Sequence, residues 1–161
     1  LRAAVLKNHE QYHEAEEQER LRVLARETLV RMHPLPLPPS VLEGRVRRLM
    51  ETEARTRMQR GATEQQIKDA LKEIEQQART EAEQELRAEY ILQAIAAEQK
   101  LDITEDDIAA HLASYANAFR RDVKWVRAMF EREGQMERMR EVILQNKALE
   151  HVVQHAVVTE K

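Results

Sequence analysis

Along most of this chain apolar residues recur at three- and four-residue spacing, the period that places side chains on one face of an α-helix. Residues 1–33 read as one helix. Its second half carries a stripe of Leu21, Leu24, Ala25, Thr28, Leu29 and Met32, whereas its first half, KNHEQYHEAEEQER, has only Tyr12 and Ala15 as apolar members. A helix that polar on every side bridges solvent or packs on something outside the chain. All four prolines then fall together, at Pro34, Pro36, Pro38 and Pro39. Proline lacks the amide donor and clashes with the preceding turn, so the segment is expected to be extended. Leu35 and Leu37 alternate with the prolines and give it one apolar side for docking on the body. Ser40 is expected to cap a second helix over 40–60, striped by Val41, Leu42, Val46, Leu49, Met50, Ala54 and Met58 and closed by Gly61.

Thr63, with Gln66 at the capping-box position, predicts the start of a third helix running from about 63 to 100. At 1.5 Å per residue it would be roughly 57 Å long, too long for a small compact domain. Ile67, Ala70, Leu71 and Ile74 stripe its start, and Tyr90, Ile91, Leu92 and Ile95 its end. Only Ala78, Ala82 and Leu86 continue the stripe between them, which reads as a projecting arm. Thr104, followed by Glu105, Asp106 and Asp107, caps a fourth helix with the face Ile108, Leu112, Tyr115, Ala116, Phe119. A fifth over about 122–133 carries Val123, Val126, Met129 and Phe130, with Trp125 just off this face, and Gly134 ends it. A sixth over about 135–156 carries Met136, Met139, Val142, Ile143, Leu149, Val152 and Val153, ahead of a β-branched end that would leave the helix as an extended tail.

Composition agrees with long helices. Aromatics make up 4% and charged residues 34% of 161 residues, with three Gly and four Pro, which leaves little for a compact aromatic core. There is no cysteine, hence no disulfide framework and no thiolate chemistry. A net charge of −3 exerts no general pull on nucleic acid or anionic lipid. No apolar run approaches the roughly 18 residues of a membrane span. The chain opens at Leu1, in mid-helix and without an initiator methionine, and reads as a fragment. Charge is also distributed by element. Between Val41 and Arg60 six arginines face three glutamates, while from Glu64 to Glu89 eight acids face four bases. A basic helix, a tight glycine turn and an acidic helix predict an antiparallel pair whose register is set by charge.

Candidate chemistry is sparse. His9-Glu10-Gln11-Tyr12-His13 matches H-E-x-x-H, two histidines one turn apart with a glutamate placed as general base, and Glu14, Glu17 or Glu19 could be offered as a third ligand. Catalytic zinc helices are apolar on their back face and this one is polar all round, so a solvated helix face is the reading adopted. His151 and His155 repeat the spacing without a third strong ligand. The run RVRRLMETEARTRMQR lacks interleaved aromatics and has an acidic neighbour, so pairing with that neighbour is favoured over RNA. With no phosphate-cradling loop and no nucleophile beside a base, no catalytic residue, metal or cofactor is assigned. Methionines at 32, 50, 58, 129, 136 and 139, with Phe119, Trp125 and Phe130, remain as a diffuse apolar set. Methionine is flexible and polarizable and suits surfaces that accept many partners.

Four stretches, in this order and spacing, resemble the C-terminal domain of bacterial trigger factor: LRAAVLKNHEQ, HPLPLPPSVLEGRVRRLM, LDITEDDIAAHLASYA and KALEHVVQHAVVTEK. The resemblance implies an all-α, elongated helical domain with a body and two projecting helical arms. Residues 1–39 would form the body helix and Pro-rich hinge, 40–101 arm one, 102–157 arm two and 158–161 an exit tail. It implies an ATP-independent chaperone, with no cofactor, whose apolar linings hold nascent or unfolded polypeptides. The residues assigned to clients are Met32, Leu35, Leu37, Met50, Met58, Ile67, Leu71, Phe119, Trp125, Met129, Phe130, Met136 and Met139. In that family ribosome binding and prolyl isomerisation belong to other domains, so this fragment is expected to be no enzyme, to meet the ribosome only through its parent, to touch neither nucleic acid nor membrane directly, and to work in the cytoplasm. Rival readings are a periplasmic parvulin-type chaperone, marked by a signal peptide on the parent, a helical adaptor for one folded partner, and a zinc peptidase, which metal analysis would reveal.

Overall fold

The computed structural model describes residues 2–156, with the side chains of 2–12 and 15 outside that description. The expected 158–161 tail therefore lies outside the described residues. Among the described residues the regular elements are seven α-helices and no strand occurs, so the all-α expectation holds. They are α1 (Arg2–Met32), α2 (Pro39–Gln59), α3 (Glu64–Asp69), α4 (Leu71–Glu98), α5 (Glu105–Phe119), α6 (Val123–Arg132) and α7 (Met136–His155).

Helix starts follow short side chains that satisfy orphan amides. Thr63 accepts from Gln66 N while the Gln66 side chain accepts from Thr63 N, and Thr104 and Asp107 exchange the same pair of bonds. Asp122 Oδ1 accepts from Trp125 N at 2.7 Å and starts α6. Two expectations are corrected. Ser40 does not cap α2. Pro38 holds the cap position and Pro39 opens the helix, where its fixed φ suits the helix and its missing amide removes a donor that would have had no partner. The single third helix is divided into α3 and α4 at Ala70, whose N–H is shared between the Gln66 and Ile67 carbonyls. No glycine or proline marks that break.

Four helix ends share one device. Gly61, Lys100, Arg120 and Gly134 take positive φ. The N–H of the residue after each reaches back five positions, from Ala62 to Arg57 O, Leu101 to Ala96 O, Arg121 to Ala116 O and Gln135 to Phe130 O, at 2.9–3.0 Å. This is the Schellman closure, which satisfies carbonyls the helix leaves open.

The chain divides into two compact units, Thr28–Ile91 and Leu1–Glu27 with Leu92–Lys161. Both divisions fall inside helices, within α1 and within α4. In the first unit Val46 of α2 is buried with Ala78 and Ala82 of α4, and Leu42, Leu49 and Met50 pack around them. Arg45, early in α2, meets Glu85 and Glu89, and Arg57, late in α2, meets Glu73, so the helices run antiparallel with the expected charge pairing. The sparse middle stripe of α4 is buried, not bare, because alanine lets a facing helix approach closely. Ala82 has no exposed surface and Leu86 only 2%. In the Pro-rich segment Leu35 and Leu37 are half-buried while the prolines stay exposed. The Leu35 carbonyl accepts from Arg87 Nε at 3.4 Å.

In the second unit Ile108, Leu112 and Ala116 of α5, Val126 and Phe130 of α6, and Met139 and Ile143 of α7 form one buried cluster. Burying each large member stabilises by about 1.5–3 kcal/mol relative to exposure. Lys147 Nζ donates to the Asp102 carbonyl (2.8 Å) and to the Asp107 carboxylate (2.7 Å), fastening α7 to the start of α5. Arg22 pairs with Glu150 at the surface, where such a bond is worth little.

Candidate functional site

The richest surface feature of the second unit is an open cleft of about 350 Å³ over the α5–α6–α7 core. Its wall is a run of rings on α5. His111 and Tyr115 meet edge-on with centroids 5.2 Å apart, and Tyr115 stacks on Phe119 at 5.9 Å. Tyr115 also meets the edge of Phe130 at 5.1 Å. Positions 111, 115 and 119 are four apart, so one helix face presents all three rings. Phe130 and Met139 form the floor from the buried core, Met129 and Val142 add apolar sides, and Glu133, Gln135 and Arg138 stand at the rim. Partial burial pushes the His111 imidazole below its ordinary value and so favours its neutral form. The arrangement is an open aromatic surface with a charged and polar rim, chemically suited to short-range contacts with apolar side chains. It holds no nucleophile aligned with a base.

The residues assigned from sequence separate by burial. Met32, Met58, Leu71, Phe119 and Trp125 are exposed, Met32 most of all at 66%. Leu35, Leu37, Met50, Met129 and Met136 are half-buried. Ile67, Phe130 and Met139 are buried and offer little surface, Phe130 and Met139 as members of the α5–α6–α7 core. Phe119, Met129, Phe130 and Met139 come together at the cleft. Met32, Leu35, Leu37, Met50, Met58, Ile67 and Leu71 belong to the other unit. His111, Tyr115 and Val142 line the cleft without having been assigned to it, although the four-residue spacing of 111, 115 and 119 was open to reading.

At the corner between α5 and α6 the Arg121 guanidinium lies over the Trp125 ring, 5.3 Å from its centroid. The zinc-type motif falls largely outside the described side chains, since those of His9 and Glu10 are not included; His13 lies 3.7 Å from Glu16. Among the described residues no group of three or more His, Asp and Glu side chains converges as a metal site requires. His151 and His155 stack with centroids 4.2 Å apart, and His155 Nδ1 lies 2.7 Å from the His151 carbonyl oxygen, to which it donates. Among the described residues no helix is long and apolar enough to cross a membrane.

These features define an all-α domain with an open, ring-lined cleft at its surface. Residues 1–154 match the family described as "Bacterial trigger factor protein (TF) C-terminus", and the chain belongs to that family. The resemblance carried by the four sequence stretches is thereby borne out. The chain is 26% identical to the trigger factor of Koribacter versatilis over 143 residues, 88% of this chain and 32% of that protein. It is 24% identical to that of Maridesulfovibrio salexigens over 132 residues (82% and 30%) and 25% identical to that of Solidesulfovibrio magneticus over 153 residues (95% and 34%). The chain thus spans about a third of the length of these curated relatives. No solved structure matches it.

Proposed function

We propose that this chain is an ATP-independent chaperone domain that holds apolar segments of unfolded or nascent polypeptides and keeps them from aggregating. The observation that carries the reading is the ring-lined cleft of Tyr115, Phe119 and Phe130, with Phe119 half-exposed, in a chain of the trigger factor family. Each contact is shallow, so affinity comes from several weak contacts along one client. Met32, Met58 and Leu71 on the other unit supply further apolar contacts, and Leu35, Leu37, Met50 and Met136 lesser ones. Ile67, Phe130 and Met139 act from beneath the surface. A body with two arms, Ser40–Leu101 and Asp102–Val157, is part of this reading and draws support from the α2–α4 pairing in one unit and the α5–α6–α7 cluster in the other. The parent would act in the cytoplasm, with ribosome binding and prolyl isomerisation in segments beyond this chain.

The test is an NMR titration of the labelled chain with two unrelated, permanently unfolded polypeptides. Shifts at Phe119, Met129 and Val142 with both clients are the expected result. No shift with either client overturns the reading. A response to one folded partner alone would return the chain to the adaptor class.

A further inference from the structure

We propose that His151 and His155, one turn apart at the end of α7, form a chelating site for a divalent transition-metal ion of the class that imidazole suits, Zn²⁺, Ni²⁺ or Cu²⁺. The proposal stands apart from the chaperone reading. It also differs in kind from a centre closed by three or more protein ligands. Here two imidazoles grip the ion, and water or a donor from another molecule fills the positions that remain.

Spacing comes first. Residues four apart lie on one helix face, the arrangement in which paired helical histidines hold zinc. The two rings stand side by side, with centroids 4.2 Å apart and planes inclined by 33°. An ion bonded to two imidazole nitrogens at about 2.0–2.1 Å each holds them no more than about 4 Å apart, so the rings are already close to the separation that one ion spans. The tautomer of His155 is the second observation. Its Nδ1 lies 2.7 Å from the His151 carbonyl oxygen. A carbonyl oxygen can only accept, so Nδ1 carries the hydrogen and the neutral ring keeps its lone pair on Nε2. Histidines that bind metals are oriented in this manner, the second ring nitrogen donating to a carbonyl or carboxylate. His155 is thus held ready, and His151 alone has to turn to complete the chelate.

Access and charge agree with this. His155 is exposed and His151 half-buried, so an ion reaches both from solvent. The cation one turn earlier on the same face, Lys147, is engaged by the Asp107 carboxylate and the Asp102 carbonyl. A bound ion ties residue 151 to residue 155 across the last turn of α7. At the next residue, Ala156, the backbone turns extended (ψ 134°) and the helix ends. Such ends fray, because their last carbonyls have no partner within the helix. The chelate therefore braces the turn at which the chain leaves α7.

The test titrates the 161-residue chain with Zn²⁺ by calorimetry and with paramagnetic Cu²⁺ by NMR. His9 and His13 repeat the four-residue spacing, so the site has to be located as well as detected. One Zn²⁺ is expected to be lost with either His151→Gln or His155→Gln, each weakening it about tenfold or more because the second imidazole binds intramolecularly. Glutamine is a good helix former, and circular dichroism checks that both variants keep their helicity. Cu²⁺ is expected to broaden the Val152, Val153 and Gln154 amides at the lowest ratios, in the parent and in His13→Gln alike. Zn²⁺ should also slow hydrogen exchange in the last turn of α7 about tenfold, since an ion that binds only the folded turn stabilises it. Zn²⁺ affinity unchanged in both α7 variants, or broadening that begins elsewhere in the chain, overturns the site. Binding at α7 that leaves the exchange rates as they were overturns the bracing role.

Discussion

Lys100 and Arg120 hold left-handed backbone that L side chains adopt at a cost, because Cβ crowds the following carbonyl oxygen. At two comparable helix ends the chain uses Gly61 and Gly134. Lys100→Gly is therefore expected to raise stability by about 0.5–1 kcal/mol, the relief of strain exceeding the added freedom of the unfolded chain, as read from a urea midpoint. Asp107 is the other informative single residue. Its bond from Lys147, then its bonds from Thr104 N and Oγ1, lower its pKa from 3.8 to about 2. A folded pKa below the unfolded one means that the native state binds its proton less readily. The Asp107 contribution is thus present in full above about pH 4 and is lost as pH falls through 2. Asp107→Asn is expected to lower the urea midpoint at about pH 5 and to approach the parent as pH falls through about 2, where Asp107 becomes protonated in the native state as well. Lys147→Met removes the largest cause and should flatten the same part of the pH profile.

Helices meet in two ways, and each has its own sensitivity. The α5–α6–α7 cluster interlocks large side chains, and Leu112 is fully buried in it. Leu112→Ala is expected to cost about 2–5 kcal/mol through lost burial and the cavity left behind. The α2–α4 pair instead sets Val46 against alanines. There the damaging change is enlargement, and Ala82→Leu is expected to cost about 1–3 kcal/mol by overpacking. Phe119→Ser, at a half-exposed position on the same helix as Leu112, should cost only about 0.5–1.5 kcal/mol through its lost stacking on Tyr115, so a chemical-denaturation series distinguishes core from contact surface. Charge acts at this scale too. Arg45 lies between Glu85 and Glu89, two acids one turn apart on α4, and opposes their mutual repulsion while fixing how α2 sits along α4.

For the chain as a whole, the apolar surface is dispersed over many positions, which suits weak contacts with varied clients. Phe119→Ser combined with Val142→Ser should keep the helical fold and reduce the suppression of client aggregation several-fold, in light-scattering assays run with and without ATP. Equal suppression by parent and variant would remove the cleft from the proposed mechanism. The nucleotide should make no difference.

Periodicity was enough for the all-helical class, because a 3.6-residue repeat is a property of neighbours along the chain. The same holds for the caps at Thr63 and Thr104, the glycine closures at Gly61 and Gly134, and the charge pairing of α2 with α4. All are local chemistry or the sign of charge on successive helices. The family was legible in the order of four stretches. The break at Ala70 and the left-handed Lys100 and Arg120 were not, since no residue there favours the conformation it adopts. The cleft was half legible. Spacing placed Phe119 on a face with Tyr115, but only packing decided that Phe130 and Met139 sink into the core while Phe119 and Trp125 remain at the surface. An amphipathic stripe says which side chains avoid water. Which of them the next helix covers depends on where that helix crosses, and that is settled by tertiary structure.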